Sequence, residues 1–187
     1  KKKRLELKKS LMSQSINLYN QLAKHKLFNK SVNFNLKRIR LALELLGRPE
    51  RKLKNVISVL GESGKFTTLF TLKSFIEANK QKVTTHISPS LRDIRERFYM
   101  GDRYLSYKEI KRTIKQIEKL NIPLTIFECL TLVYIINASK INADYNIQET
   151  GALWRLDSNN INDFPKIQIC TNINKQHLDF LKRKTLN

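Results

Sequence analysis

Hydrophobic residues recur along much of this chain at the three- and four-residue spacing of amphipathic helices. Residues 35–46, NLKRIRLALELL, follow this spacing, and Gly47 with Pro49 beyond it indicates where the helix ends. Ser106 with Glu109 three residues later forms a capping box, which predicts another helix start. Helices are therefore predicted at residues 1–26, 35–46, 67–79, 106–120, 125–138 and 175–184.

Short runs rich in β-branched residues lie between several of these helices. The clearest is VISVL at residues 56–60, which a glycine follows, and a second run ends at Ser88-Pro89. Strands are predicted at residues 56–60, 82–87, 145–148 and 167–171. Because strands alternate with helices, the order favours one α/β domain whose mostly parallel sheet is flanked by helices.

Length, composition and cysteine usage agree with a single intracellular domain. The chain has 187 residues, of which 41% are hydrophobic, and this suffices for one core. Cys129 and Cys170 lie among apolar neighbours without metal-binding spacing, so we expect free thiols in the cytoplasm. The longest apolar run, residues 126–138, contains Glu128 and is too short to span a bilayer, so no membrane association is expected.

A formal net charge of +20 is the strongest compositional signal. Such a charge attracts polyanions, including nucleic acids and polyphosphate ligands. The lysines, however, are spread along the whole chain together with many Asn and Ile residues, a mixture that an AT-rich genome also produces. Composition alone leaves both explanations open.

The segment GESGKFTT follows the first predicted buried strand and opens a predicted helix. Gly61 and Gly64 permit a tight turn whose N–H groups face an anion, and Lys65 can reach a phosphate. Thr67 offers a hydroxyl to Mg²⁺, and the helix adds the positive end of its dipole. The spacing GxxGKxT differs from the usual P-loop signature, so the pattern is compatible with a phosphate-binding loop or with an ordinary turn.

Further motifs follow in an order that resembles one protein family. GESGKFTT is similar to the G-T-N-G-K-G-S-T of folylpolyglutamate and dihydrofolate synthases, in the Mur ligase superfamily. ISPSLRDIRERF, GDRYLS, LTIFECLTL, QETGALWRLDSNNI and TNINKQHLDFL resemble the blocks that come after it in that family. Upstream, VNFNLKRI and LGRPERKLKNVISVLG are similar to the lead-in. The resemblance spans residues 32 to 181 and implies a P-loop-type mononucleotide-binding domain.

The resemblance also implies a reaction, cofactors and site residues. Family members use ATP and Mg²⁺ to convert a folate carboxylate into an acyl phosphate, which L-glutamate then attacks. On the matching positions, the catalytic residues would be Lys65, Glu149 and His177. The nucleotide would be held by Gly61, Glu62, Ser63, Gly64, Lys65, Thr67 and Thr68, and the metal by Thr67, Ser88, Glu149 and His177. The pterin pocket would be lined by Val32, Asn33, Phe34, Thr125, Ile126, Phe127, Glu128, Leu156, Asp157 and Ser158.

Several of these residues have ordinary structural explanations as well. Ser88 before a proline is typical of a turn, Glu128 in an apolar helix could be a paired buried carboxylate, and His177 could be a helix cap. The loop also departs from the family motif. Phe66 replaces a glycine after the loop lysine, and Glu62 adds a negative charge where an anion should bind.

We expect residues 1–31 to form an N-terminal helical segment and residues 32–187 a Mur-ligase-like ATP-binding domain. The family's C-terminal domain has no counterpart in this sequence, so the chain alone should not complete the ligation. Expected partners are ATP, a pterin or folate, and L-glutamate, with the chain a monomer. The alternatives are a basic nucleic-acid-binding module, disfavoured because no recognised motif is present, and an inactive nucleotide-binding relative.

Overall fold

The computed structural model describes residues 2–29, 35–151 and 154–173. Within these ranges the chain forms five α-helices and seven strands. The helices are α1 (Lys2–Lys24), α2 (Lys37–Leu45), α3 (Lys65–Ala78), α4 (Tyr107–Glu118) and α5 (Ile126–Ala138). The strands are β1 (Phe28–Asn29), β2 (Val56–Leu60), β3 (Val83–His86), β4 (Phe98–Met100), β5 (Leu124–Thr125), β6 (Tyr145–Glu149) and β7 (Ile167–Cys170).

Five strands form the main sheet in the order β4-β3-β6-β2-β7. The pairs β3–β6, β6–β2 and β2–β7 are parallel, and β4 is an antiparallel edge strand. The predicted α/β class with a mostly parallel sheet is therefore confirmed. The strand β4 and the two-residue ladder between β1 and β5 were not predicted, because runs of two or three residues are too short to show a period of two. The helix predicted at residues 175–184 lies outside the described residues.

The central strands β2, β3 and β6 are covered on both faces, and nearly all of their residues are buried. On one face, Ile57, Val59 and Ile147 pack with Leu69 and Ile76 of α3. On the other face, a larger cluster joins residues of α1, α2, α4 and α5 with Phe98 and Met100 of β4. Since Ile57 and Val59 point to the same face of β2, a shift of one residue would move both away from the cluster that they form with α3, and their burial therefore fixes the register.

The layer between the sheet and α5 contains a buried polar network. Thr84 on β3 and Asn146 on β6 are register partners, and the Thr84 hydroxyl lies 2.6 Å from the Asn146 amide oxygen. The Tyr134 hydroxyl on α5 lies 2.8 Å from the same threonine oxygen. These bonds satisfy polar groups that water cannot reach, so they fix how α5 sits on the sheet.

The first turn of α5 is held by an unpredicted capping box. Thr125 accepts a hydrogen bond from the Glu128 N–H, and the Glu128 carboxylate accepts one from the Thr125 N–H. Arg38 on α2 donates to both carboxylate oxygens of Glu128 at 3.1 Å. The Glu128 side chain is only 4% exposed, so this pair ties α2 to α5 with little screening by water.

The N-terminal helix α1 packs on the larger cluster through Leu18 and Leu22. It also bonds the segment that follows β3, where Ser15 accepts from the Ile94 N–H and Tyr19 accepts from the Arg97 side chain. The division between residues 1–31 and 32–187 stays a prediction. Among the helices that the structure describes, none combines the length and the apolar character that crossing a bilayer requires.

Arg38→Met should destabilise the fold strongly, because it leaves the buried Glu128 carboxylate without its cation. We expect a loss of about 3 kcal/mol in the free energy of unfolding, measured by urea titration. Arg40→Met on the same helix is the matched control, since its Asp163 partner is 59% exposed. That control should cost less than about 0.5 kcal/mol. Equal losses in the two variants would contradict the assigned role of the Arg38–Glu128 pair.

Candidate functional site

The loop between β2 and α3, residues 61–64, lies at the carboxyl end of the parallel strands. Gly61 has a φ of +125° and Gly64 a φ of +81°, conformations that favour glycine. A Cβ atom at Gly61 would also meet the backbone of Asn172, whose carbonyl oxygen would be 2.9 Å away. Both glycines are therefore required by the turn.

Lys65 is the first residue of α3, and its side chain folds back over the loop. The ammonium group donates to the carbonyl oxygen of Gly61 at 2.7 Å and to that of Glu62 at 3.3 Å. No side chain of the described residues caps α3, so the N–H groups of its first turn face outward without an intrahelical acceptor. A positive helix end and an ammonium group thus lie together, as an anion site requires.

The segment that follows β7 forms the wall on the other side of the loop. The side-chain oxygen of Asn172 accepts hydrogen bonds from the Glu62 N–H at 3.1 Å and the Ser63 N–H at 2.9 Å. The Thr171 hydroxyl donates to the Ser63 carbonyl oxygen at 2.7 Å. The loop is thereby attached to the sheet through β7 as well as through β2.

Glu149 ends β6, next to β2, and its carboxylate faces the loop region. It is 5% exposed, and its Oε2 accepts a hydrogen bond from the Ser88 N–H at 3.1 Å. Burial raises the pKa of Glu149, while the Ser88 bond and the charges of Lys65 and Arg97 lower it. Glu149, Ser88 and Lys65 therefore share one end of the sheet.

A second carboxylate, Asp157, is linked to Glu149 through Asn159, whose side chain donates to the Glu149 carbonyl oxygen. The two Asp157 carboxylate oxygens accept hydrogen bonds from the N–H groups of Gly151 and Asn159, and the residue is 4% exposed. Burial raises the pKa of Asp157 to about 7, and the two N–H bonds and the Lys65 charge oppose that rise. A Cβ atom at Gly151 would lie 2.6 Å from Asp157 and 3.5 Å from the Phe127 ring, so glycine is needed for this approach.

The residues predicted for the nucleotide and metal occupy the β2–α3 loop, the start of α3 and two strand ends. Thr67 is exposed on the first turn of α3, and Thr68 donates its N–H to the Gly64 carbonyl oxygen. Ser88 follows β3 and is half-buried. Of the residues in this predicted set, His177 alone lies outside the described residues. The Phe66 ring packs on Phe70 at 4.4 Å on the sheet side of α3, so it does not crowd the loop.

The residues predicted to line the pterin pocket differ in their burial and in their contacts. Phe127 and Asp157 approach each other around Gly151, while Leu156 is 44% exposed. Ser158 is buried, and its hydroxyl lies 2.9 Å from that of Thr131. Thr125 and Glu128 are committed to the capping box, and Ile126 packs on the larger core cluster. Val32, Asn33 and Phe34 lie outside the described residues.

Sequence reasoning missed two residues of this site. Arg97, 7% exposed, lies close enough to Glu149 for its charge to affect that carboxylate, and it belongs to the quoted block ISPSLRDIRERF. Asn172 belongs to the block TNINKQHLDFL, but nothing in the sequence shows that its side chain reaches the loop. His86 on β3 is fully buried between Phe98 and Tyr134, and burial lowers its pKa to about 3.

Comparison with known proteins adds independent information. No protein-family model matches the chain. A dihydrofolate synthase/folylpolyglutamate synthase from Buchnera aphidicola subsp. Schizaphis graminum is 33% identical over 156 residues, covering 82% of this chain and 37% of that protein. The structure of E. coli FolC in complex with DHPP and ADP is 30% identical, with a TM-score of 0.82 over 90% of this chain and 40% of that one.

A bifunctional folylpolyglutamate synthase/dihydrofolate synthase from Yersinia pestis, complexed with AMPPNP and Mn ion, agrees with these two. It is 28% identical with a TM-score of 0.79, over 89% of this chain and 40% of that one.

The parallel sheet and the glycine–lysine loop between β2 and α3 define a P-loop-type mononucleotide-binding domain. Over four fifths or more of its length, the chain is similar to members of the folylpolyglutamate synthase/dihydrofolate synthase family. It spans about two fifths of these relatives, between 37% and 40% of the lengths compared.

Asp157 should make the stability of the fold depend on pH. Its folded pKa of about 7 exceeds its ordinary value of 3.8, so the folded state holds the proton more tightly than the unfolded chain. The associated stability is present in acid and is lost as the pH rises through about 7. We expect the free energy of unfolding to fall by about 2 kcal/mol more in the wild type than in Asp157→Asn between pH 5 and pH 7.5.

The measurement is urea unfolding at several pH values, and slopes are compared because Asp157→Asn also loses an acceptor at every pH. Asp163→Asn, at an exposed carboxylate, is the control and should keep the wild-type slope. A wild-type slope that Asp157→Asn leaves unchanged would show that this carboxyl is ionised in the folded protein across the range.

Proposed function

We propose that this chain is the ATP- and Mg²⁺-binding part of an ATP-dependent ligase of folate metabolism. The reaction would add L-glutamate to dihydropteroate or to a folate polyglutamate through an acyl phosphate. The observation that carries the proposal is the convergence of Lys65 and Glu149 at one end of the sheet, beside the glycine loop. The relationship to dihydrofolate synthase/folylpolyglutamate synthase supplies the reaction class.

In this proposal the phosphates of ATP rest on the first turn of α3. The N–H groups of residues 64–67 would donate to phosphate oxygens, because they have no intrahelical acceptor. Lys65 would exchange its bonds to the carbonyl oxygens of Gly61 and Glu62 for bonds to the phosphates. ATP and Mg²⁺ are the expected cofactors because related structures hold ADP, or AMPPNP with Mn ion.

The residues present fit a hard divalent cation. Glu149 uses one carboxylate oxygen for Ser88, and its other oxygen makes no hydrogen bond within the described part of the chain. The hydroxyls of Thr67 and Ser88 complete a set of oxygen ligands of the kind that Mg²⁺ prefers. Residues 2–29, 35–151 and 154–173 hold no group of three His, Cys, Asp or Glu side chains, so a site of the zinc type is not favoured there. His177 remains a proposed ligand.

A bound metal would neutralise phosphate charge and so make attack on the phosphorus easier. The chain's own contribution would be to position groups and to hold charge. Lys65 would stabilise the negative charge that develops on the transferred phosphoryl oxygens. The buried Glu149 and Asp157 side chains would keep a fixed, weakly hydrated wall around the reacting carboxylate.

The pterin would lie beside Phe127 and Asp157, where a ring and a carboxyl group meet around Gly151. A carboxyl group with a pKa of about 7 can donate or accept a hydrogen bond near neutral pH, which suits the mixed donor and acceptor edge of a pterin. Ile126, Leu156 and Ser158 would line the pocket, with Val32, Asn33 and Phe34 closing it. Thr125 and Glu128 would form its wall through the backbone of the capping box.

By itself the chain is proposed to bind nucleotide without completing the ligation. It spans about two fifths of the length of its relatives. The inactive-relative alternative shares the nucleotide site and differs only in turnover. Residues 32–187 as an ATP-binding domain, a monomeric state and a cytoplasmic location stay predictions.

Mg-ATP should stabilise the wild-type chain against heat. At a ligand concentration one hundred times the dissociation constant, the gain is about 2.7 kcal/mol, which corresponds to a rise of several degrees in the melting temperature. Lys65→Ala should abolish that rise because it removes the cation facing the phosphates. The measurement is differential scanning fluorimetry with Mg-ATP.

Lys111→Ala, at an exposed lysine on α4, is the matched control for loss of one positive charge and should keep the full shift. Equal shifts in both lysine variants, or a shift with single-stranded DNA and none with Mg-ATP, would contradict the proposal. The second result would favour the nucleic-acid-binding alternative.

A further inference from the structure

The loop at residues 61–64 carries N–H groups that could all face an anion, yet two of them already have an acceptor. The Asn172 side-chain oxygen receives the N–H groups of Glu62 and Ser63, and the Asn172 carbonyl oxygen lies 3.2 Å from the same Glu62 nitrogen. A single side-chain oxygen therefore occupies the part of the loop that lies before Gly64.

The surroundings show that this oxygen is firmly held. β7 pairs with β2 up to the register partners Leu60 and Cys170, one residue before the loop begins. The next residue, Thr171, donates its N–H to the Leu60 carbonyl oxygen at 2.9 Å and its hydroxyl to the Ser63 carbonyl oxygen. Gly61 has no Cβ, so the Thr171–Asn172 backbone can lie against the loop.

We propose that Asn172 is a positioning residue for nucleotide binding, acting as a brace that fixes the first half of the loop. Its oxygen holds the N–H groups of Glu62 and Ser63 toward β7, so the N–H groups of residues 64–67 alone are presented to a phosphate. That the ligand is a nucleotide rests on the proposed function, whereas the role of Asn172 in the loop rests on the observed hydrogen bonds.

Charge explains why an amide suits this position better than a carboxylate. A carboxylate would accept the same two hydrogen bonds and would do so more strongly. It would also place a negative charge beside the polyphosphate and oppose Lys65. Asparagine supplies the acceptor without that charge, so Asn172 can hold the loop while a phosphate is bound.

The first part of the test needs no ligand. Amide hydrogen exchange of Glu62 and Ser63, measured by NMR in the nucleotide-free protein, should be slow in the wild type and in Asn172→Asp. Exchange of the Ser63 amide should be at least about tenfold faster in Asn172→Ala, which has no side-chain acceptor. The Glu62 amide should change less, because the backbone carbonyl oxygen at position 172 still accepts its N–H. Unchanged protection of Ser63 in Asn172→Ala would show that the Asn172 side chain does not hold the loop.

The second part uses Mg-AMPPNP as the probe in calorimetric titrations. Asn172→Ala should bind about tenfold more weakly, because the loop is no longer preorganised. Asn172→Asp should bind more weakly still at pH 8, and its affinity relative to wild type should recover as the pH falls and the new carboxyl is protonated. A purely structural role for Asn172 would give no such pH dependence.

Asn142→Asp is the control for the added charge, since Asn142 bonds Lys54 far from the loop in sequence and is exposed. It should bind like the wild type. Tighter binding by Asn172→Ala would overturn the proposal and show that Asn172 is a plug that phosphate displaces. If the wild type fails to bind Mg-AMPPNP, the proposed function is overturned, and the amide exchange alone decides whether Asn172 holds the loop.

Discussion

Parallel pairing of β2 with both β6 and β7 is the constraint on which the rest of this structure depends. It places the carboxyl ends of three strands side by side, and each of these ends leads into a different part of the site. β2 leads into the glycine loop, β6 ends at Glu149, and β7 leads to Asn172. The register partners Val59–Glu149 and Leu60–Cys170 fix these ends relative to one another. A shift of one strand would therefore move the loop away from the Glu149 carboxylate or from Asn172.

Two layers of packing keep that pairing in place. α3 buries its apolar side chains on one face and begins at the loop, so its first turn is aimed by the same contacts that stabilise the sheet. On the opposite face, α5 is fixed by the Thr84–Tyr134–Asn146 network and by the Arg38–Glu128 pair. The Glu128 carboxylate thus stabilises the packing of α2 on α5, while the neighbouring Phe127 ring lies beside Gly151 and Asp157.

The electrostatic pattern of the site follows from the same arrangement. Burial raises the pKa of Glu149 and Asp157, and the Lys65 charge acts on both of them. The Lys65 ammonium group lowers the pKa values of both carboxyl groups and also donates to loop carbonyl oxygens. A bound phosphate would compete with these groups for the same positive charge. The proposed nucleotide, metal and pterin positions are therefore coupled through one lysine.

The sequence by itself predicted the five described helices, four strands of the main sheet, the α/β class, the capping box at Ser106 and the resemblance to the family, because these depend on local periodicity and short motifs. It identified Lys65 and Glu149 as candidates through the blocks around them. Only the tertiary structure decided that Glu128 is paired with Arg38, that Phe66 turns toward Phe70, and that Asn172 holds the loop. Those outcomes depend on side-chain contacts between residues as many as 110 positions apart, and local sequence patterns carry no record of such contacts.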